Sequence, residues 1–220
     1  MLTVFGLEAK KELTDEEAMV RFQNGDAGVF DLLVNRHSTG VLRFIIKMIG
    51  SRGTLQRAPT QVEDLLQEVF LKVIENREKY DSSQKFTTWL YTLTRNRCID
   101  YLRTENYRHH DSLDASLFRD ESNGAVVLDI IKSRERNQEE TIIDKEIQRL
   151  LDSGIEELRE EFREVFLLRE IEGLTLKEIA DITDTNLSTV KSRLRYAYQN
   201  LREVFIRAGY FEERQRAKEV

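Results

Sequence analysis

Two short stretches of this chain carry chemistry that its overall composition does not suggest. Between Lys85 and His110 stand five basic residues (Lys85, Arg95, Arg97, Arg103, Arg108) against two acids, Asp100 and Glu105. Phe86, Trp89, Tyr91, Tyr101 and Tyr107 are interleaved among them. Rings can stack on unpaired bases while guanidinium groups track phosphate, so the mixture suits single-stranded nucleic acid. An amphipathic helix whose aromatics are core explains part of the same pattern. The second stretch, Asn186 to Arg202, holds four basic residues and no acid, although the chain as a whole has a net charge of −6. That net charge restricts any DNA contact to local basic patches.

The second stretch belongs to "LTLKEIADITDTNLSTVKSRLRYAYQNL", residues 174–201. Leu176, Ile179 and Ala180 form one apolar face, and Thr183-Asp184-Thr185 interrupts it. A second periodicity then runs through Leu187, Val190, Leu194, Ala197, Leu201 and Val204/Phe205, which defines a buried face. At about 100° per residue, the opposite side carries Ser188, Ser192, Arg195, Tyr196 and Gln199, flanked by Lys191 and Arg193. Thr185 or Asn186 can cap its start. Two helices around a tight turn, the second polar and cationic, describe a helix-turn-helix at about residues 175–195, with a recognition helix suited to the major groove. The bland alternative is a solvated helix of a small bundle.

The elements that must position these residues are helical throughout. One proline, ten glycines and 34% charged residues favour an all-α chain. "NGDAG" reads as a turn in which Asp26 caps a helix from Ala27 to about Ile49, and Pro59 marks the start of the next. In that next helix Val62, Leu65, Leu66, Val69, Phe70, Val73 and Ile74 make one continuous core stripe. Its outer face reads Asp64, Gln67, Glu68, Leu71 and Glu75. An exposed leucine ringed by acids and an amide fits a partner surface, although lone exposed leucines are ordinary. Residues 111–146 lose periodicity and hold ten acids against five basic residues, an acidic linker with some short helix. Beyond it Ile155, Leu158, Phe162, Val165 and Phe166 form the stripe of a second domain.

Several function classes fall away. Three histidines (His37, His109, His110) lie in no metal-ligand spacing, and no nucleophile–base–acid set can be argued, so no catalytic residue, metal or cofactor is expected. Cys98, the single cysteine, cannot form an internal disulfide and reads as a small buried residue of a cytoplasmic protein. No apolar run approaches ~18 residues, and the N-terminus lacks a signal-peptide pattern, so no membrane insertion is expected.

"EEFREVFLLREIEGLTLKEIADITDTNLSTVKSRLRYAYQNL" resembles region 4 of bacterial sigma factors of the extracytoplasmic-function group. "VEDLLQEVFLKVIENREKYD" followed by "FTTWLYTLTRNRCIDYLR" resembles region 2 of the same group. The resemblance implies a region 2-like domain over 15–110, a linker over 111–145, a region 4-like domain over 146–207 and a charged tail over 208–220. It implies a dissociable subunit that gives core RNA polymerase its promoter specificity, with promoter DNA and polymerase as partners and an anti-sigma factor as a candidate third. Carried over residue by residue, it assigns polymerase binding to Asp64, Gln67, Glu68 and Leu71. It assigns recognition and melting of the −10 element to Lys85, Phe86, Trp89, Arg95, Asn96, Arg97 and Arg103. Reading of the −35 element falls to Ser188, Thr189, Lys191, Ser192, Arg193, Arg195 and Tyr196. Two departures stand out. The turn has Thr183-Asp184-Thr185 where the family usually has apolar–Gly–apolar, and Tyr196 and Tyr198 stand where it commonly has arginines. The rival from another class is a stand-alone helix-turn-helix regulator with a helical sensing domain, which would bind duplex DNA without polymerase.

Overall fold

In the computed structural model, residues 13–50, 59–111 and 142–210 are described, and among them every regular element is helical. The first helix, α1 (Asp15–Gln23), begins with a reciprocal cap between Thr14 and Glu17 that periodicity alone does not announce. Asp26, expected to cap the next helix, makes no side-chain cap hydrogen bond; a 3₁₀ turn, Ala27–Val29, leads into α2 (Phe30–Ile49) instead. The tighter turn lets residues 27–29 feed α2 without a side-chain cap. Gly50 closes α2 with φ 67°, a left-handed conformation that favours glycine. Helix α3 (Pro59–Glu75) starts on its proline, which lacks the N–H that a first turn would leave unpaired. A 3₁₀ turn (Arg77–Lys79) and the loop 80–85 lead to α4 (Phe86–Asp111).

The second group opens with α5 (Ile142–Glu157), which begins inside the segment expected to be linker. An acid-rich helix start is not obviously helical by composition, and Ile142 and Ile143 are too few to set a period. Residues 112–141 of the expected linker and 211–220 of the expected tail lie outside the described residues. Helix α6 (Glu160–Phe166) runs into a π turn (Leu167–Ile171). The helix-turn-helix follows as α7 (Leu176–Thr183) and α8 (Leu187–Arg207). Thr175 and Glu178 cap α7 reciprocally. The turn solves its missing glycine through Asp184, which adopts φ 50° and ψ 48°; aspartate tolerates this left-handed state better than most residues. Asn186 then caps α8, its Oδ1 accepting from the Thr189 amide at 2.8 Å.

Each group has its apolar side turned inward, and the two are docked. In the first, Leu33, Phe44, Ile45, Met48, Val62, Leu65, Val69, Val73, Phe86 and Leu90 are buried. In the second, Ile155, Leu158, Val165, Leu167, Leu168, Ile179, Val190 and Leu194 are buried. The two sets form one contiguous core, with α4 packed on α7 and α2 on α6 and the π turn. Leu187, expected on the buried face of α8, is exposed because the helix start projects beyond the bundle. Leu66 and Ile74, the outer edge of the α3 stripe, are only partly buried.

Candidate nucleic-acid interface

Along α3 the core stripe faces inward and Asp64, Gln67 and Leu71 are left in solvent, with Leu71 54% exposed. Glu68 is half-buried because it pairs with Arg97 of α4. That pair ties the acid-flanked leucine face directly to the cation–aromatic helix.

The loop before α4 is held from several directions. The Gln23 side chain donates to the carbonyls of Arg77 and Tyr80 at 2.7 and 2.9 Å. The Phe86 amide donates to Glu16 Oε1 at 3.0 Å, and the Tyr80 hydroxyl to the Gln84 carbonyl at 2.8 Å. Asp81 accepts from the Ser83 amide at 2.9 Å, a bond that holds its carboxyl below the usual range. Burial pushes the Tyr80 hydroxyl up to about 12. A cleft of about 440 Å³ opens beside this loop, lined by Leu13, Glu16, Glu17, Val20, Arg21 and Ser82.

Of the residues assigned to strand opening, Phe86 is fully buried and Trp89 half-buried. Both lie in one ring cluster with Tyr80, the Trp89–Tyr80 centroids 5.2 Å apart. Phe86 therefore braces the loop in this arrangement and offers no open face to a base. Asn96 and Arg103 are exposed, and Arg103 lies 4.0 Å from Asp100. The other cations are engaged. Arg95 donates to Glu164 at 2.8 Å, Arg97 pairs with Glu68, and Lys85 lies 2.8 Å from Glu178. Cys98 is buried, as expected, which pushes its thiol up to about 12.

On α8, Ser188, Lys191, Arg195 and Tyr196 are exposed, while Thr189 and Ser192 are half-buried in bonds near the helix start. Arg195 sits over the Tyr196 ring, 5.3 Å from its centroid, and that ring stacks on Phe162 at 5.6 Å. The Tyr198 hydroxyl donates to Glu170 at 2.5 Å. Both tyrosines thus have partners within the domain. Arg193 turns inward, 3.3 Å from Glu164.

The residues that sequence reasoning missed are Arg163 and Glu164. Arg163 is buried and donates to four carbonyls: Ile155, Glu156 and Leu158 of its own domain, and Met48 at the end of α2. It satisfies carbonyls that a helix end leaves open. Glu164 is 3% exposed and binds Arg95 of α4 and Arg193 of α8 together. The one available signal was a charged pair standing between Phe162 and Val165 in the sequence.

Comparison with known proteins follows the same two groups. The family described as Sigma-70 region 2 matches residues 33–108, and Sigma-70, region 4 matches residues 148–201. The ECF RNA polymerase sigma-E factor of Escherichia coli is 31% identical over 188 residues, covering 84% of this chain and 90% of that protein. The factor of the same name from Haemophilus influenzae is 28% identical over 187 residues, covering 84% and 91%. CnrH, solved in complex with the cytosolic domain of CnrY, superposes with a TM-score of 0.60 at 20% identity, covering 87% of this chain and 96% of CnrH. The sigma factor RpoE from Bartonella quintana, solved with the anti-sigma factor NepR, also reaches 0.60, at 19% identity over 80% of this chain and 96% of its own. These two likenesses speak to the fold alone.

Proposed function

The chain belongs to the extracytoplasmic-function group of the sigma-70 family, and on that premise we propose how its surfaces divide the family's work. As a sigma factor it binds core RNA polymerase and directs promoter-specific initiation of transcription. The region 2-like domain spans 15–110, the linker 111–145 and the region 4-like domain 146–207. Asp64, Gln67, Glu68 and Leu71 dock on a polymerase helix, an apolar anchor inside a polar rim. Loop 80–85 and α4 recognise and open the −10 element, with Asn96 reading an exposed base and Arg95, Arg97, Arg103 and Lys85 holding phosphate. Trp89 and Phe86 shape that surface from below. The exposed side of α8 reads the −35 element, with Lys191, Ser192 and Arg195 nearest the bases and Ser188 and Thr189 at the helix start.

What supports this division is the coexistence on one chain of two differently built cationic elements. One is a helix-turn-helix whose second helix leaves Lys191 and Arg195 in solvent, and the other is a cation–aromatic helix. A stand-alone duplex binder has use for the first and none for the second. The protein works in the cytoplasm, contributes binding while the polymerase supplies the chemistry, and has an anti-sigma factor as a further partner. Among the described residues no helix is long and apolar enough to cross a membrane. Run-off transcription with core polymerase on genomic promoters tests the reading. Transcripts sharing −35 and −10 motifs are expected; specific duplex binding without polymerase, and no such transcripts, would replace it with the stand-alone regulator.

A further inference from the structure

Arg195 does not stand alone on the exposed side of α8. Its guanidinium carbon lies over the Tyr196 ring, 5.3 Å from the centroid. That ring stacks on Phe162 of α6, the centroids 5.6 Å apart and the planes 22° from parallel. Arg159, the residue that precedes α6, places its own guanidinium 5.5 Å from the Phe162 centroid. Four side chains thus form a series, cation–ring–ring–cation, from the start of α6 to the exposed side of α8. Both cations lie within the roughly 6 Å over which a ring face attracts a positive charge.

The foot of this series is fixed. Phe162 is half-buried, and the next residue is Arg163, whose bonds to the carbonyls of Ile155, Glu156, Leu158 and Met48 anchor α6. Helices α6 and α8 pack on each other. Tyr196 is 45% exposed, so the stack on Phe162, and not enclosure in the core, holds its ring in place. One helix therefore treats two arginines of α8 in opposite ways. Glu164 draws Arg193 inward at 3.3 Å, while Phe162, through Tyr196, leaves Arg195 in solvent with a ring against it.

We propose that Tyr196, seated on Phe162, is a positioning residue that sets the Arg195 guanidinium for −35 recognition and reads no base itself, an inference that rests on the −35 reading of Arg195 above. A bidentate contact to a base edge needs the guanidinium plane within a narrow range of orientations. An arginine free in solvent gives up rotamer freedom to reach that range. Stacking removes part of this freedom before DNA arrives, so less is lost on binding. The ring supplies this support, and the Tyr196 hydroxyl has no part in it.

The experiment uses the full chain with core polymerase on a promoter library randomised over the −35 element, with transcripts counted by sequencing. Preference is a ratio between promoters in one reaction, so a general loss of folded protein does not move it. Arg195→Ala marks the position that Arg195 reads. Tyr196→Ala is expected to relax preference at that same position by about two- to fivefold, the range of a cation–ring contact at an exposed site. Phe162→Leu, which removes the ring under Tyr196 and keeps an apolar side chain, should relax the same position. Tyr196→Phe restores the ring and should restore the preference. In an Arg195→Ala background, adding Tyr196→Ala should change nothing further. Lost preference in Tyr196→Phe would make the hydroxyl a reader and overturn the proposal. Relaxation at a different position, or further relaxation in the double variant, would overturn it as well. Wild-type preference in Tyr196→Ala beside a relaxed Arg195→Ala contradicts the positioning role alone. Wild-type preference in Arg195→Ala contradicts the reading of Arg195 and the positioning role with it.

Discussion

Helices α3 and α4 lie side by side in one domain, yet they meet the rest of the molecule differently. The outer face of α3 keeps Asp64, Gln67 and Leu71 in solvent. The cations of α4 and its loop are instead taken up, Arg95 by Glu164, Lys85 by Glu178 and Arg97 by Glu68. A surface proposed to meet one constant protein partner can stay open at little cost. A cationic surface left open would bind any polyanion, because phosphate contacts carry no sequence information. Helix α8 is intermediate: Lys191 and Arg195 are exposed while Arg193 is drawn inward.

The largest effect should come from the group that joins the covered side. Arg163→Leu removes the guanidinium from four carbonyls, three of them in buried bonds, although that of Ile155 still accepts from the Leu158 amide. Unsatisfied buried groups cost about 1–3 kcal/mol each, so a loss of at least about 3 kcal/mol is expected in chemical denaturation. A loss under about 1 kcal/mol would mean that water replaces the guanidinium and that the interface is wetter than its burial implies. On the open side, Leu71→Asp should weaken core polymerase affinity by about 2 kcal/mol or more while leaving the melting temperature unchanged. Unchanged affinity would remove α3 from the polymerase interface. Between the two, Arg195→Ala should relax preference at one −35 position by about 1–3 kcal/mol. Arg193→Ala should act more evenly across a randomised −35 library, as a phosphate contact does. The same preferred sequence for wild type and Arg195→Ala would exclude Arg195 as a reader.

The smallest effect is in pH. Burial holds the Glu172 carboxyl above the usual range, against the Tyr91 hydroxyl and the nearby Arg43 charge, which pull it down. A raised carboxyl takes up a proton in the folded, docked state. Its contribution is therefore fully present below the ordinary carboxylate range and is lost as pH rises through the raised value. Glu178, held down to about 2, has the opposite sign, but its contribution is lost only as pH falls towards that value. Between neutral and mildly acidic pH, wild-type stability should thus rise on acidification by less than about 1.4 kcal/mol per unit relative to Glu172→Gln. Parallel pH curves for the two proteins would show that Glu172 does not titrate with docking.

The same contrast governs how far the molecule could be read from its sequence. The α3 stripe from Val62 to Val73 and its outward Leu71 follow from a 3.6-residue period, because one side of that helix meets the core and Leu71 on the other meets solvent. The turn at Asp184 was legible too, since few residues other than glycine, asparagine and aspartate take up the left-handed state. Arg163 and Glu164 were not legible. Periodicity puts them off the stripe of Phe162, Val165 and Phe166, and the partners from the other domain that bury them, Met48 and Arg95, are more than 60 positions away. Phe86 misled for the same reason: an aromatic beside a lysine reads alike whether it faces a base or Tyr80. Leu187 failed because a helix period continues past the point where the bundle ends.

The most direct test of α4 as the strand-opening surface is run-off transcription with core polymerase on two templates, a duplex promoter and the same promoter with a pre-melted −10 bubble. With Asn96→Ala and Arg95→Ala, transcription from the duplex is expected to fall; defects confined to the duplex assign the residues to opening, and equal defects on both templates to capture of the exposed strand. Normal transcription from both templates by both variants would contradict it.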